Sequence, residues 1–137
     1  FFGGLAGNAG LFSTARDVAR VYQMLLNGGE IDGQRYLSKE TCQLFTTETS
    51  KISRRGLGFD KPDADDPKKG NCAPAAPAEV YGHTGFTGTC AWVDPVNELV
   101  YVFLSNRIYP DVTNRKLNQL HIRERIQGAI YDAMKKK

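Results

Sequence analysis

Val80-Tyr81-Gly82-His83-Thr84-Gly85-Phe86-Thr87-Gly88-Thr89-Cys90-Ala91-Trp92-Val93-Asp94-Pro95-Val96-Asn97-Glu98-Leu99-Val100-Tyr101-Val102-Phe103-Leu104-Ser105-Asn106 is the stretch on which the fold turns. Residues 80–93 and 98–106 read as strands. Between them, Asp94 and Pro95 hold the first two positions of a type I turn. In the second run Leu99, Tyr101 and Phe103 share one face, and Val100, Val102 and Leu104 the other. A strand apolar on both faces is expected to be central and covered on both sides. Gly82, Gly85 and Gly88 leave the start of the first run bare, an edge that can pair with a bound substrate or approach another backbone.

Helices flank this sheet in the sequence. Ala15, Val18, Ala19, Tyr22, Leu25 and Leu26 make one apolar stripe, which predicts a helix over 14–27. Ser13 or Thr14 can cap its start, Asp17 suits its first turn, and Gly28-Gly29 ends it. A short second helix is expected after Ser38, with Leu44 and Phe45 buried. A closing helix from about Ile122 has Ile126, Ala129, Ile130 and Ala133 as its stripe. Residues 56–60 read as a short strand. Residues 61–78 hold Asp63, Asp65, Asp66 and four prolines, which predicts a long surface loop, a site rim or a mobile segment. About three strands and two substantial helices are few for a three-layer domain. Part of the core is therefore expected to come from chain beyond this one, and by itself the chain is expected to self-associate or expose an apolar patch.

The 137 residues are 41% hydrophobic and 24% charged, a globular composition. The longest apolar run, 99–104, is too short to span a membrane. No charged region followed by an apolar stretch opens the chain, so no targeting signal is visible in it. The net charge of +3 resides in residues 121–137, where five Lys/Arg meet two acids. Cations suit a helix C-terminus, and without interleaved aromatics they make no nucleic-acid footprint. Cys42, Cys72 and Cys90 have no Cys-x-x-Cys spacing and only His83 and His121 to assist, so no metal site is expected. Cys72 and Cys90 can pair in an oxidising compartment or remain free buried thiols. Gly4-x-x-Gly7-x-x-Gly10 lacks the Lys-Ser/Thr pair of a phosphate loop and reads as close backbone packing.

His83-Thr84-Gly85 places a titratable group and a hydroxyl on the bare strand. With the run Gly7-Asn8-Ala9-Gly10-Leu11-Phe12-Ser13-Thr14-Ala15-Arg16-Asp17-Val18-Ala19-Arg20 upstream and Leu104-Ser105-Asn106-Arg107 downstream, the chain resembles the C-terminal half of serine beta-lactamase-like hydrolases. These include class C beta-lactamases, DD-peptidases and related esterases. Residues 54–63 and 82–90 further resemble beta-lactamase-like modules of Bacteroidetes type, some fused behind a family 3 glycoside hydrolase domain. The resemblance implies an α+β fold: part of an α/β/α sandwich with an antiparallel sheet of about three strands and a packed C-terminal helix. Residues 1–137 would be the C-terminal portion of one such domain, in a periplasmic or cell-envelope protein.

The implied chemistry is an acyl-enzyme formed on serine from an amide or ester, without metal or organic cofactor. His83, where the family often has Lys, would be a donor or proton carrier. Thr84 would donate to substrate, Gly85 admit its close approach, and the Phe86 N–H give one oxyanion donor. The four are expected to line a cleft on an edge strand. The implied partners are the N-terminal part of the same domain and a small-molecule or cell-wall peptide substrate. The family's Ser-x-x-Lys is not in this chain: three residues after its serines stand Arg16, Thr41, Ser53, Gly56 and Ile108. Tyr-x-Asn and Gly-x-Ser-x-Gly are missing too, so the nucleophile is expected upstream. The alternative is a non-catalytic module of the same fold that binds cell-wall peptide or glycan, or scaffolds a fused glycosidase.

Overall fold

The computed structural model describes residues 11–47, 52–63, 65–66 and 70–136. The glycine-rich opening, residues 1–10, lies outside them. In chain order the elements are α1 (Ala15–Leu26), β1 (Glu30–Ile31), β2 (Gln34–Arg35), α2 (Lys39–Thr46), β3 (Tyr81–Thr84), β4 (Cys90–Asp94), β5 (Leu99–Phe103), α3 (Lys116–Gln119) and α4 (Ile122–Met134).

Local signals set α1. The Thr14 hydroxyl accepts from the Asp17 N–H at 3.2 Å and donates to the Asp17 carboxylate at 2.8 Å, which satisfies an orphan donor of the first turn. The left-handed Gly28 and Gly29 stop the helix. The β1–β2 hairpin turns at Asp32-Gly33, both at positive φ, a strong hairpin signal.

β3, β4 and β5 form an antiparallel sheet in that order, so β4 is central. The expected single strand 80–93 is two strands, folded back at 85–89. β5, expected to be central, lies at the edge of the described sheet, though both of its faces are at least half covered. Helix α1 packs on one face of β4 and β5. On the other face Cys90, Trp92 and Tyr101 form the core with Cys72 and Val80, backed by Ala76, Phe103 and Ile130. The layers run helix, sheet, helix, and the fold is α+β as expected.

Helix α4 joins the sheet through polar groups. Its buried residues are Arg123, Glu124, Gln127 and Tyr131, whereas Ile126, Ala129 and Ala133 of the expected stripe are exposed. The Tyr131 hydroxyl donates to Asp94 Oδ2 at 2.8 Å, the Tyr101 hydroxyl donates to the Arg123 carbonyl at 3.1 Å, and the Gln127 side-chain carbonyl accepts from the Ala73 N–H at 2.8 Å. Asp94 Oδ1 also accepts from the N–H groups of Val96 and Asn97, and this closes the β4–β5 turn.

Two burial expectations fail. Leu44 and Phe45 are 52% and 43% exposed, because α2 turns Cys42 inward instead. The segment 61–78 carries no helix or strand in its described residues, yet Lys61, Cys72 and Ala73 are buried. All three cysteines are free and buried. Burial raises the Cys72 thiol to about 12 and the Cys90 thiol to about 11.

Candidate active site

β3 carries His83 and Thr84 along the outer side of the sheet. Strand alternation puts Tyr81 and His83 on the α1 face, and Gly82 and Thr84 on the α4 face. Tyr81 is buried edge-on against Phe59 at 5.4 Å, and Phe59 meets Tyr22 of α1 at 6.1 Å. This aromatic stack fixes the strand and leaves His83, two residues on, exposed.

The edge is not bare along its whole length. Residues 56–60 supply only one bridge: the Asp60 N–H donates to the Gly82 carbonyl at 2.7 Å, and the Gly82 N–H returns a bond at 3.0 Å. On the opposite side Gly82 pairs with Trp92, and a Cβ on Gly82 would lie 2.1 Å from the Ala91 carbonyl oxygen. Glycine is needed here for close packing, and the open part of the edge begins at His83.

Asp60 is the anchor of that bridge. It is buried, and its carboxylate accepts from Arg54 Nη2 at 3.1 Å, Asn71 Nδ2 at 2.8 Å and the Lys61 N–H at 3.1 Å, with Arg54 Nε also 2.8 Å away. Burial works to raise this carboxyl. Hydrogen bonds from Asn71 and Arg54, and the Arg54 charge, outweigh burial and hold it below the usual carboxylate range.

Beyond Thr84 the chain enters a tight turn. Gly85 donates to the Thr89 carbonyl at 2.8 Å, and Gly88 donates to the Gly85 carbonyl at 3.0 Å. Phe86 and Thr87 are the central residues of that turn. The Phe86 ring is 70% exposed, and its N–H meets no acceptor among the described residues. The turn is held from afar: the Arg107 N–H and the Ser105 hydroxyl both donate to the Thr87 carbonyl, at 2.9 and 3.2 Å.

His83 Nδ1 lies 2.7 Å from the Thr84 carbonyl oxygen. A carbonyl only accepts, so Nδ1 carries a proton and the neutral ring keeps its lone pair on Nε2. In an antiparallel strand alternate residues aim their backbone groups to the same side. Because Gly82 faces outward to Asp60, Thr84 also presents its N–H outward. The exposed His83 ring and the Thr84 N–H thus lie on this outer edge, the Gly85 N–H turns inward to Thr89, and the unpaired Phe86 N–H follows in the turn. The side chains of His83 and Thr84 do not converge, since the pleat sends them to opposite faces. A hollow of about 520 Å³ between α1 and α2 and another of about 460 Å³ against α4 are lined by other residues.

The "Beta-lactamase" family model matches residues 2–124. The chain belongs to the beta-lactamase family. Among curated relatives, an Escherichia coli O157:H7 protein named "Putative D-alanyl-D-alanine carboxypeptidase" is 37% identical over 116 residues. Proteins of the same name from Escherichia coli K12 and Salmonella agona are each 36% identical over 116 residues. Each alignment covers 85% of this chain and 26–27% of the relative, so the chain spans about a quarter of their length. This beta-lactamase-family chain therefore pairs a helix–sheet–helix frame with an open strand edge. Among its described residues no group of three His, Cys, Asp or Glu is arranged to hold a metal ion, and no helix is long and apolar enough to cross a membrane.

Proposed function

We propose that this chain is the C-terminal portion of a serine hydrolase that works through an acyl-enzyme on a cell-wall peptide in the envelope. The observation that carries the reading is the unpaired Phe86 N–H one turn beyond an exposed His83, in a family whose curated relatives are named as carboxypeptidases. A serine upstream of Phe1 attacks the substrate carbonyl carbon and its C–O or C–N bond breaks. The oxygen that gains charge is stabilised by the Phe86 N–H together with the nucleophile's own N–H. One such donor contributes on the order of 3 kcal/mol at the transition state. Water then cleaves the acyl-enzyme, releases the acid and restores the serine. His83, with Nδ1–H bound to Thr84 and Nε2 free, carries a proton to or from the reacting groups.

The test compares this chain with a protein that adds the upstream sequence, on a chromogenic beta-lactam and a p-nitrophenyl ester. The longer protein is expected to turn over the ester, and the chain alone neither substrate. In the longer protein His83→Ala should lower kcat/KM by roughly 10- to 1,000-fold. Acyl-enzyme formation by the chain alone, or an unchanged rate in a folded His83→Ala variant, overturns the reading. An upstream sequence without Ser-x-x-Lys and Tyr-x-Asn would favour the non-catalytic module instead.

A further inference from the structure

The hollow of about 460 Å³ against α4 lies between that helix and the segment 70–74. None of its lining residues belongs to the strand edge that carries His83. On α4, His121, Glu124, Gly128, Ala129 and Asp132 recur at helical spacing and make one wall, with Cys72 and Pro74 on the other. The space exists because the middle of the helical wall is small: a Cβ on Gly128 would meet only Ala73 Cβ, at 4.0 Å. Glu124 is 9% exposed, yet its Oε2 is buried and takes no hydrogen bond among the described residues. Its Oε1 lies 3.8 Å from Arg123 Nη2, beyond hydrogen-bond reach, and that nitrogen donates instead to Asn118 Oδ1 at 3.2 Å. The Cys72 thiol, on the far wall, feels the charge of this carboxylate. A buried carboxylate oxygen left without a donor is costly, so Oε2 marks a place for one. At the exposed rim the charges of Arg125 and Asp132 offset each other.

We propose that this hollow binds a small molecule that carries a protonated primary amine on an apolar body, with the ammonium on Glu124 Oε2. Its volume falls in the roughly 300–1,000 Å³ range of small-molecule sites. Pro74, Gly128, Ala129 and the Cys72 thiol offer the body an apolar wall with one buried polar group in it. An ionised carboxylate only accepts, and a hydrogen bond from a charged donor is about twice as strong as a neutral one. An anionic ligand would meet the like charges of Glu124 and Asp132. With Oε1 beside Arg123, one oxygen is open, which suits the point charge of an ammonium rather than the two-pronged fork of a guanidinium. The site stands independently of the hydrolase reading.

The experiment titrates phenethylamine into the protein extended upstream, by calorimetry near neutral pH, where the amine is protonated. Phenethyl alcohol and hydrocinnamate serve as its neutral and anionic counterparts. Saturable binding of the amine is expected, with a Kd on the order of 0.1–1 mM for so small a ligand. The alcohol should bind at least about 10-fold more weakly, and hydrocinnamate not measurably. Glu124→Gln should weaken the amine at least about 10-fold and leave the alcohol within about twofold. Ala129→Phe fills the hollow from an exposed position and should abolish binding of both. Melting curves establish that the variants fold; should Glu124→Gln not fold, the alcohol comparison and Ala129→Phe still decide. Equal affinity for amine and alcohol, or an unchanged amine affinity in Glu124→Gln, overturns the assignment to an amine. Undiminished binding in Ala129→Phe puts the ligand elsewhere and overturns the site. No saturable binding by the wild type, as when upstream chain covers the hollow, overturns the whole proposal.

Discussion

Replacing Asp60 with alanine should loosen the strand that carries His83, although Asp60 has no part in the proposed chemistry. Its backbone bridges Gly82, and its carboxylate takes three hydrogen bonds and an ion pair at 2.8 Å. Removing one side of a buried pair costs about 3–5 kcal/mol when the other charge is stranded. Arg54 is not fully stranded, because 32% of its side chain is exposed and Asp63 stands 4.0 Å away. That relief brings the expected cost to about 2–4 kcal/mol. Asp60→Asn keeps the shape and part of the bonding, so about 1–2 kcal/mol is expected. Urea unfolding followed by the emission of Trp92, the single tryptophan, reads both. The Asp60 carboxyl ionises more readily folded than unfolded. Its contribution is therefore complete above the unfolded carboxyl value, about pH 4, and is lost as pH falls through the lower folded value. The parent should lose stability over that acid range, and Asp60→Asn should lose less. The reasoning fails if Asp60→Ala stays within about 0.5 kcal/mol of the parent, or if the Asn variant keeps the parent's whole acid slope.

Three further outcomes follow from the packing. Gly82→Ala places a Cβ 2.1 Å from the Ala91 carbonyl on a residue held from both sides, and should cost at least the roughly 1–3 kcal/mol of core overpacking; an unchanged urea midpoint would count against this strand register. Tyr131→Phe removes the hydroxyl bond to buried Asp94 and should cost about 1–2 kcal/mol in the same assay, a loss that a surface contact would not show. Cys72 and Cys90, pushed to about 12 and 11, should react with a thiol reagent at pH 8 at least roughly 100-fold more slowly folded than in urea, and rapid labelling of either would contradict their burial.

Helix α1 was legible from the chain because its determinants are local: a capping Thr14, Asp17 in the first turn, a 3.6-residue stripe and two terminal glycines lie within sixteen residues. The β4–β5 turn was legible for the same reason, since Asp94 bonds to residues two and three positions on. His83, Thr84, Gly85 and Phe86 could be nominated from a glycine-spaced strand and the flanking motifs. Strand order could not. Whether 80–93 runs straight or folds at 85–89 depends on Ser105 and Arg107 reaching back to Thr87, and glycine spacing permits both outcomes. The packed face of α4 was equally hidden. Periodicity follows apolar residues, whereas Arg123, Gln127 and Tyr131 are buried because Tyr101, Ala73 and Asp94 bring them hydrogen-bond partners from distant parts of the chain. The sequence by itself determined α1, the β4–β5 turn and the family, through short-range caps, stripes and motifs. Only the tertiary structure decided which backbone donors stay free and which nitrogen of His83 holds its proton, because each depends on atoms that meet only after the sheet has formed.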